Sequence, residues 1–168
     1  TGTSPSARMD LAMAHDPIGG GALLFGGSTS NAVLGSSDAE TWRFSGTGWE
    51  QLLPSGSPPA RTAHAMAETP SGILMFGGGT DSGGSPAYRG DTWRWTGSDW
   101  EAVGGAGPPA RLGHTLAWDA ARNVLVLFGG TNGTSRNDVW EWNGTWQDLT
   151  PAPSPGQPAP RAFHGAAY

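Results

Sequence analysis

PPARTAH at 58–64, PPARLGH at 108–114 and APRAFH at 159–164 are nearly the same phrase written three times. A looser copy, SPSARMDL at 4–11, places Leu11 where the others place His64, His114 and His164. The four arginines, Arg8, Arg61, Arg111 and Arg161, are spaced 53, 50 and 50 residues apart. A fixed period of this length marks a repeat architecture, in which each repeat is one supersecondary unit and neighbours supply each other's core.

The text between these phrases repeats as well. An apolar run ends in paired glycines: ALLFGG with Gly26 and Gly27, ILMFGG with Gly77 and Gly78, VLVLFGG with Gly129 and Gly130. After a polar stretch of variable length come AETWRF (39–44), GDTWRW (90–95) and NDVWEW (137–142). A small turn then leads to Trp49, Trp100 or Trp146. Each repeat therefore predicts four short strands. Strand A is the Arg-x-x-His segment, 61–68 in the second copy. Strand B is the apolar run, buried on both faces. Strand C alternates, placing Trp93 and Trp95 on one face and Thr92 and Arg94 on the other. Strand D begins at the second Trp. The C–D turn carries Gly46, Gly97 or Gly144, as a hairpin needing positive φ requires. The repeats run approximately 5–57, 58–107 and 108–157, with a partial fourth at 158–168, all within a single domain over 1–168.

Composition narrows the class. Gly (28) and Pro (14) make up a quarter of the 168 residues, a fraction that without a period suggests disorder. Nine Trp and five Phe contradict disorder and fit many short strands joined by tight turns. No window approaches 18 consecutive apolar residues, so no membrane insertion is expected. No basic segment followed by an apolar one opens the sequence, so a signal peptide is expected to be absent or already removed. There is no Cys, which excludes disulfides, thiolate metal sites and Cys nucleophiles. There is no Lys either, and the net charge is −5. Nucleic-acid binding needs clustered cations and is not expected.

The sequence resembles the kelch-repeat family, on its ~50-residue period, the Gly-Gly that ends strand B, and the aromatic pair on strands C and D. The resemblance covers essentially the whole chain. It departs from many kelch repeats in carrying Trp42, Trp93 and Trp140 at the strand C aromatic, and its Trp-rich form looks like bacterial secreted kelch proteins. The resemblance implies an all-β, kelch-type β-propeller of three four-stranded blades plus one extra strand. Three blades do not close a ring of the usual four to eight. The chain is then a partial propeller, a fragment of a longer one, or half of an oligomeric ring. Head-to-tail filaments are a third route. The expected partners are a second copy of the chain or the missing blades, with a protein or glycan ligand.

The repeated polar residues invite two readings. Arg61/His64, Arg111/His114 and Arg161/His164 could ring a central channel around a metal. As a feature of every blade they are better explained as structural contacts between blades, and no metal or other cofactor is expected. Glu40, Asp91 and Asp138, just before the strand C Trp, could be a carboxylate ring for acid–base work. The same argument makes them ion-pair or turn-capping partners of the repeat Arg. Eight of the nine Trp occupy repeat positions and read as packing between blades. Trp118 stands outside the pattern, in register with Glu68 and His15 of the earlier copies.

Function is sought where copies differ. The B–C loops, 28–39, 79–90 and 131–137, hold Asn31, Asp81, Tyr88, Arg89, Asn132 and Arg136. In kelch propellers the B–C and D–A loops generally share the face where partners bind, so these six are the expected binding residues, with Arg89, Arg136 and Tyr88 as anchors. Asn132 and Asn143 open N-x-T sequons, and both also head Asn-Gly turns. A galactose-oxidase-like copper enzyme would need a Cys–Tyr cross-link, and a specifier-type iron enzyme a Cys, so neither carries over. SSDAETW at 36–42 lacks the Gly of a sialidase Asp box, and no nucleophile–base pair is recognisable. The expectation is a non-catalytic binding module; the alternatives are a self-assembling structural unit or a fragment of a larger propeller, and, below these, a carbohydrate-active kelch enzyme such as a sialate-isomerising one. An extracellular or cell-surface setting is expected from the Cys- and Lys-free composition.

Overall fold

A computed structural model describes residues 4–31, 34–82 and 84–166. Tyr168, the end of the expected fourth repeat, lies outside the described residues. The first sheet is β1 (Ala12–His15), β2 (Ala22–Phe25), β3 (Thr41–Phe44) and β4 (Trp49–Leu52). The second begins with β5 (Ala65–Thr69) and β6 (Gly72–Phe76). A small hairpin, β7 (Gly79–Asp81) and β8 (Pro86–Tyr88), then intervenes before β9 (Thr92–Trp95) and β10 (Trp100–Val103) complete it. The third is β11 (Thr115–Asp119), β12 (Val124–Phe128), β13 (Val139–Trp142) and β14 (Trp146–Asp148). Each four-stranded sheet is an antiparallel meander. Its first strand is innermost, and β5 lies between β1 and β11.

The core forms between sheets rather than within one. Successive residues of a strand point to opposite faces, so Ile73 and Met75 of β6 pack with Leu23, Phe25, Trp95 and Trp100. Leu74 and Phe76 of the same strand pack with Leu125, Leu127 and Trp146. All five residues of β6 are buried. One Trp per gap fixes the alignment. Trp100 meets Phe25 edge-on at 5.4 Å and donates its indole N–H to Thr41 at 3.1 Å. Trp146 repeats this on Phe76 (5.4 Å) and Thr92 (2.9 Å). Trp49, the first-sheet counterpart, is half-exposed and meets Phe44 of its own sheet at 5.2 Å.

Two expectations need correction. Arg-x-x-His is not part of strand A: the strands begin after it, at Ala12, Ala65 and Thr115. The reason is local. The third residue of each phrase has positive φ: Asp10 (54°), Ala63 (52°), Gly113 (64°) and Phe163 (56°). A left-handed residue cannot continue a strand. These residues instead form their own ladder, Ala63 N–H to Asp10 O (2.8 Å), Gly113 to Ala63 (2.8 Å) and Phe163 to Gly113 (2.7 Å), stepping from one repeat to the next. The second correction is the extra strand. Residues 161–166 are irregular, and among the described residues no strand B pairs with them. They are held by inter-repeat hydrogen bonds, Gly130 N–H to Arg161 O at 2.8 Å among them, and by the His164 ring against Phe128.

The paired glycines sit where two repeats touch. A Cβ on Gly78 would lie 2.8 Å from His64 Cβ and 2.7 Å from Thr62 O, at a φ of 91°. Gly46 has a similar φ (93°) in open space. We expect Gly46→Ala to cost about 1–2 kcal/mol, from left-handed strain alone. Gly78→Ala adds overlap with backbone and should cost about 3 kcal/mol or more. Equal losses on urea denaturation of the two variants would contradict the packing described.

Candidate functional site

The most regular polar constellation is structural in its geometry. Arg111 is fully buried. Its guanidinium donates to Asp138 through both terminal nitrogens (2.6 Å each), to Gly129 O (2.8 Å) and, from Nε, to Pro109 O (3.0 Å). Arg61 does the same with Asp91 (2.8 and 2.7 Å), Gly77 O (2.9 Å) and Pro59 O (3.0 Å). Arg8 pairs with Glu40 at 2.7 Å and reaches Gly26 O at 3.1 Å. Each acid also accepts the indole N–H two residues on: Trp42 to Glu40, Trp93 to Asp91, Trp140 to Asp138, at 2.7–2.9 Å. Four of the five donors on each of the Arg61 and Arg111 guanidinium groups are thus matched by protein oxygens. Burial pushes the Asp138 and Asp91 carboxyls up, and the arginine bonds bring both below the usual carboxylate range.

The histidines are wedges. His64, His114 and His164 meet Phe25, Phe76 and Phe128 edge-on at 5.6, 5.3 and 5.4 Å. Each belongs to the repeat following its Phe. Both ring nitrogens of His64 and of His114 are buried and unpartnered. Burial, reinforced by the Arg61 and Arg111 charges, pushes the two imidazoles down to about 3, so both are neutral at physiological pH. Among the described residues no three His, Asp or Glu come together as a metal site.

The variable positions form two separate places. On the loop side, Asn31 and Asp81 are exposed, and Asp81 accepts the Gly84 N–H at 2.6 Å. Tyr88, Arg89, Asn132 and Arg136 are half-buried. The loops of neighbouring sheets approach, since a Cβ on Gly133 would sit 3.9 Å from the Tyr88 hydroxyl. Arg89 and Arg136 are equivalent: their carbonyls accept Arg111 N–H and Arg161 N–H, both at 2.9 Å. Their own Nε atoms are buried without a partner, and neither forms an ion pair with a described residue. Asn143 is exposed at the C–D turn of the third sheet.

The other place is the inner wall. His15, Glu68 and Trp118 occupy one register on β1, β5 and β11, and line a cavity of about 450 Å³ with Met13, Met66 and Leu116. His15 Nδ1 lies 3.2 Å from Glu68 Oε1. Sequence reading singled out Trp118 and its register partners and did not see that β1 and β5 bring His15 against Glu68. The signal was available, because three unlike residues at one repeat position escape the constraint all blades share.

No family model matches the chain. The human protein named multiple epidermal growth factor-like domains protein 8 is 30% identical over 168 aligned residues, covering 88% of this chain. Its rat counterpart is 30% identical over 165, covering 86%. The chain spans 6% of the length of these curated relatives. The solved structure of YjhT superposes with a TM-score of 0.68 at 16% identity, over 89% of this chain and 48% of that one. This likeness concerns fold alone, and supports a propeller-like arrangement of the three sheets.

The buried imidazoles make stability depend on pH. Between pH 6 and 4 an unfolded chain protonates His64 and His114 while the folded chain does not, so stability falls as pH falls. The slope is about 1.4 kcal/mol per pH unit for each histidine. His114→Phe keeps the aromatic wedge and should remove the contribution of that histidine. The carboxylates held low by arginine add their loss as pH falls from about 5, Glu40 before Asp91 and Asp138. Urea titrations of the variant showing an unchanged slope between pH 6 and 4 would refute this origin.

Proposed function

We propose that the chain is a kelch-type β-propeller binding module without catalytic activity, in an extracellular or cell-surface setting. In this reading the B–C and D–A loop face takes an acidic protein or glycan partner. The observation that carries the reading is the pair Arg89 and Arg136. Six of the nine arginines are matched to carboxylates within the fold. These two, at equivalent positions on adjacent sheets, form no ion pair with a described residue, and Arg136 acts on Asp138 only at longer range. Tyr88 beside them supplies an aromatic surface of the kind enriched at interfaces. Similarity to a protein named for its epidermal growth factor-like domains supports the setting.

A second reading concerns ring completion. The third sheet already carries the contacts of a following repeat, with His164 against Phe128 and Arg161 O accepting Gly130 N–H. Further sheets therefore have a place to continue, supplied by more chain or by a second copy. Since three sheets match 48% of the YjhT structure, a ring of that size holds about twice as many.

The test is an array of acidic peptides and anionic glycans probed with the wild type and with an Arg89→Ala/Arg136→Ala variant. We expect binding that weakens at least about tenfold in the variant, with the melting temperature nearly unchanged. Equal binding by the two proteins would overturn the site. Light scattering on the same samples separates a doubled mass from a monomer.

A further inference from the structure

The three sheets offer an internal comparison on the side opposite the loop face, at the A–B turns. In the first gap, Asp16 follows β1, is fully buried, and fills the space between sheets one and two. Its carboxylate accepts the Trp95 indole N–H (2.8 Å), an Arg43 nitrogen (3.3 Å), and the backbone N–H groups of Ile18 (3.0 Å) and Gly19 (2.9 Å). The four residues 17–20 of its turn carry Ile18 over Gly97, where a Cβ would lie 2.6 Å from Ile18 Cγ2.

The second gap has the same receptor without the acid. Pairing registers make Thr69 equivalent to Asp16, Arg94 to Arg43, Trp142 to Trp95 and Gly144 to Gly97. The turn after β5 is only Pro70-Ser71, too short to insert anything. A cleft of about 350 Å³ remains between sheets two and three, lined by Thr69, Arg94, Trp118, Asn123, Trp142 and Asn143 among others. Nothing lies within 4 Å of a Cβ on Gly144. The Trp142 indole N–H donates to no described residue. Arg94, lacking an inner carboxylate, turns to the exposed Glu101 at 2.7 Å. The third sheet solves the same problem differently. Asp119 is kept, Glu141 replaces the arginine, and Arg122 bridges the two. Among the described residues, only the second sheet combines a cation at this position with no acid at the place equivalent to Asp16.

We infer that the cleft between the second and third sheets is a carboxylate-binding site, in which a ligand carboxylate takes the place Asp16 occupies in the neighbouring gap. The carboxylate accepts from the Trp142 indole N–H and from Arg94, which shares its guanidinium with Glu101. The Trp118 and Trp142 rings and the Asn123 and Asn143 amides contact the body of the ligand. This site is independent of Arg89 and Arg136 and stands whether or not the loop face binds.

The carboxylate can come from a sugar acid or from an acidic side chain, and two probes separate them: glucuronate, and aspartate blocked at both ends as N-acetyl methylamide. Glucose and the blocked asparagine are their neutral controls. The readout is the Trp142 indole N–H resonance, assigned with Trp142→Phe, during titration of the whole chain. At least one acid should shift it saturably while its neutral control does not. Arg94→Gln, an exposed change, should weaken binding at least tenfold, and Glu101→Gln should strengthen it. Thr69→Asp rebuilds the internal acid and should abolish binding. If that variant does not fold, Arg94→Gln alone decides. Equal shifts from acids and neutral controls, or unchanged affinity in Arg94→Gln, would overturn the assignment. Loss of loop-face binding in Arg89→Ala/Arg136→Ala should leave these titrations unaffected.

Discussion

A left-handed residue two places after each repeat arginine sets the geometry of the molecule. It turns the chain so that the arginine points back into its own sheet while its backbone reaches the preceding repeat. Gly27 and Gly78 donate to the carbonyls of Arg61 and Arg111 (3.0 and 2.8 Å), and Asp10, Ala63, Gly113 and Phe163 bond in sequence. Sheets stacked only by apolar contact could slide, because hydrophobic burial is non-directional. A backbone ladder crossing from repeat to repeat cannot slide without breaking buried hydrogen bonds. The double glycine follows as a steric consequence, since Gly77 lies against the Arg111 carbonyl and His114 ring of the next repeat and Gly78 against Thr62 O and His64 of its own.

The buried arginines are tolerable because four of the five donors on each guanidinium are matched, two of them by a carboxylate. A lone buried cation would be strongly destabilising, and a pair breaks even only when remaining donors are satisfied. Here the proline carbonyl, the glycine carbonyl and both carboxylate oxygens accept these four. The adjacent indole then fixes the carboxylate rotamer. This arrangement specifies register more than it stabilises. The favourable energy lies in the Leu, Ile, Met, Phe and Trp side chains between sheets, roughly 1.5–3 kcal/mol for each large one buried.

Much of this was legible in the sequence because each repeat writes it again. The period, the strand B runs and the alternating Trp93 and Trp95 all follow from spacing and side-chain type. The left-handed position did not show itself, because Asp10, Ala63 and Phe163 occupy it alongside Gly113, and Ala and Phe do not advertise positive φ. The β7–β8 hairpin was hidden in a loop whose Gly and Ser content signals a turn but not pairing. The cleft at Thr69 was invisible for another reason. It depends on the length of a turn in one sheet and on a tryptophan 73 positions further on, and only the stacked sheets bring Thr69 to Trp142.

The loop face and the gap between sheets both follow from one rule. Positions that every repeat must keep build the frame, and positions released from that duty hold unspent charge. That rule depends on the inter-repeat ladder being part of the cooperative core. Hydrogen exchange at single-amide resolution examines it directly, through the Gly27, Gly78, Ala63 and Gly113 amides. Our account predicts protection equal to that of the central β6 amides. Exchange at the rate of open loops would contradict it, and would mean that the sheets are held by side-chain packing alone.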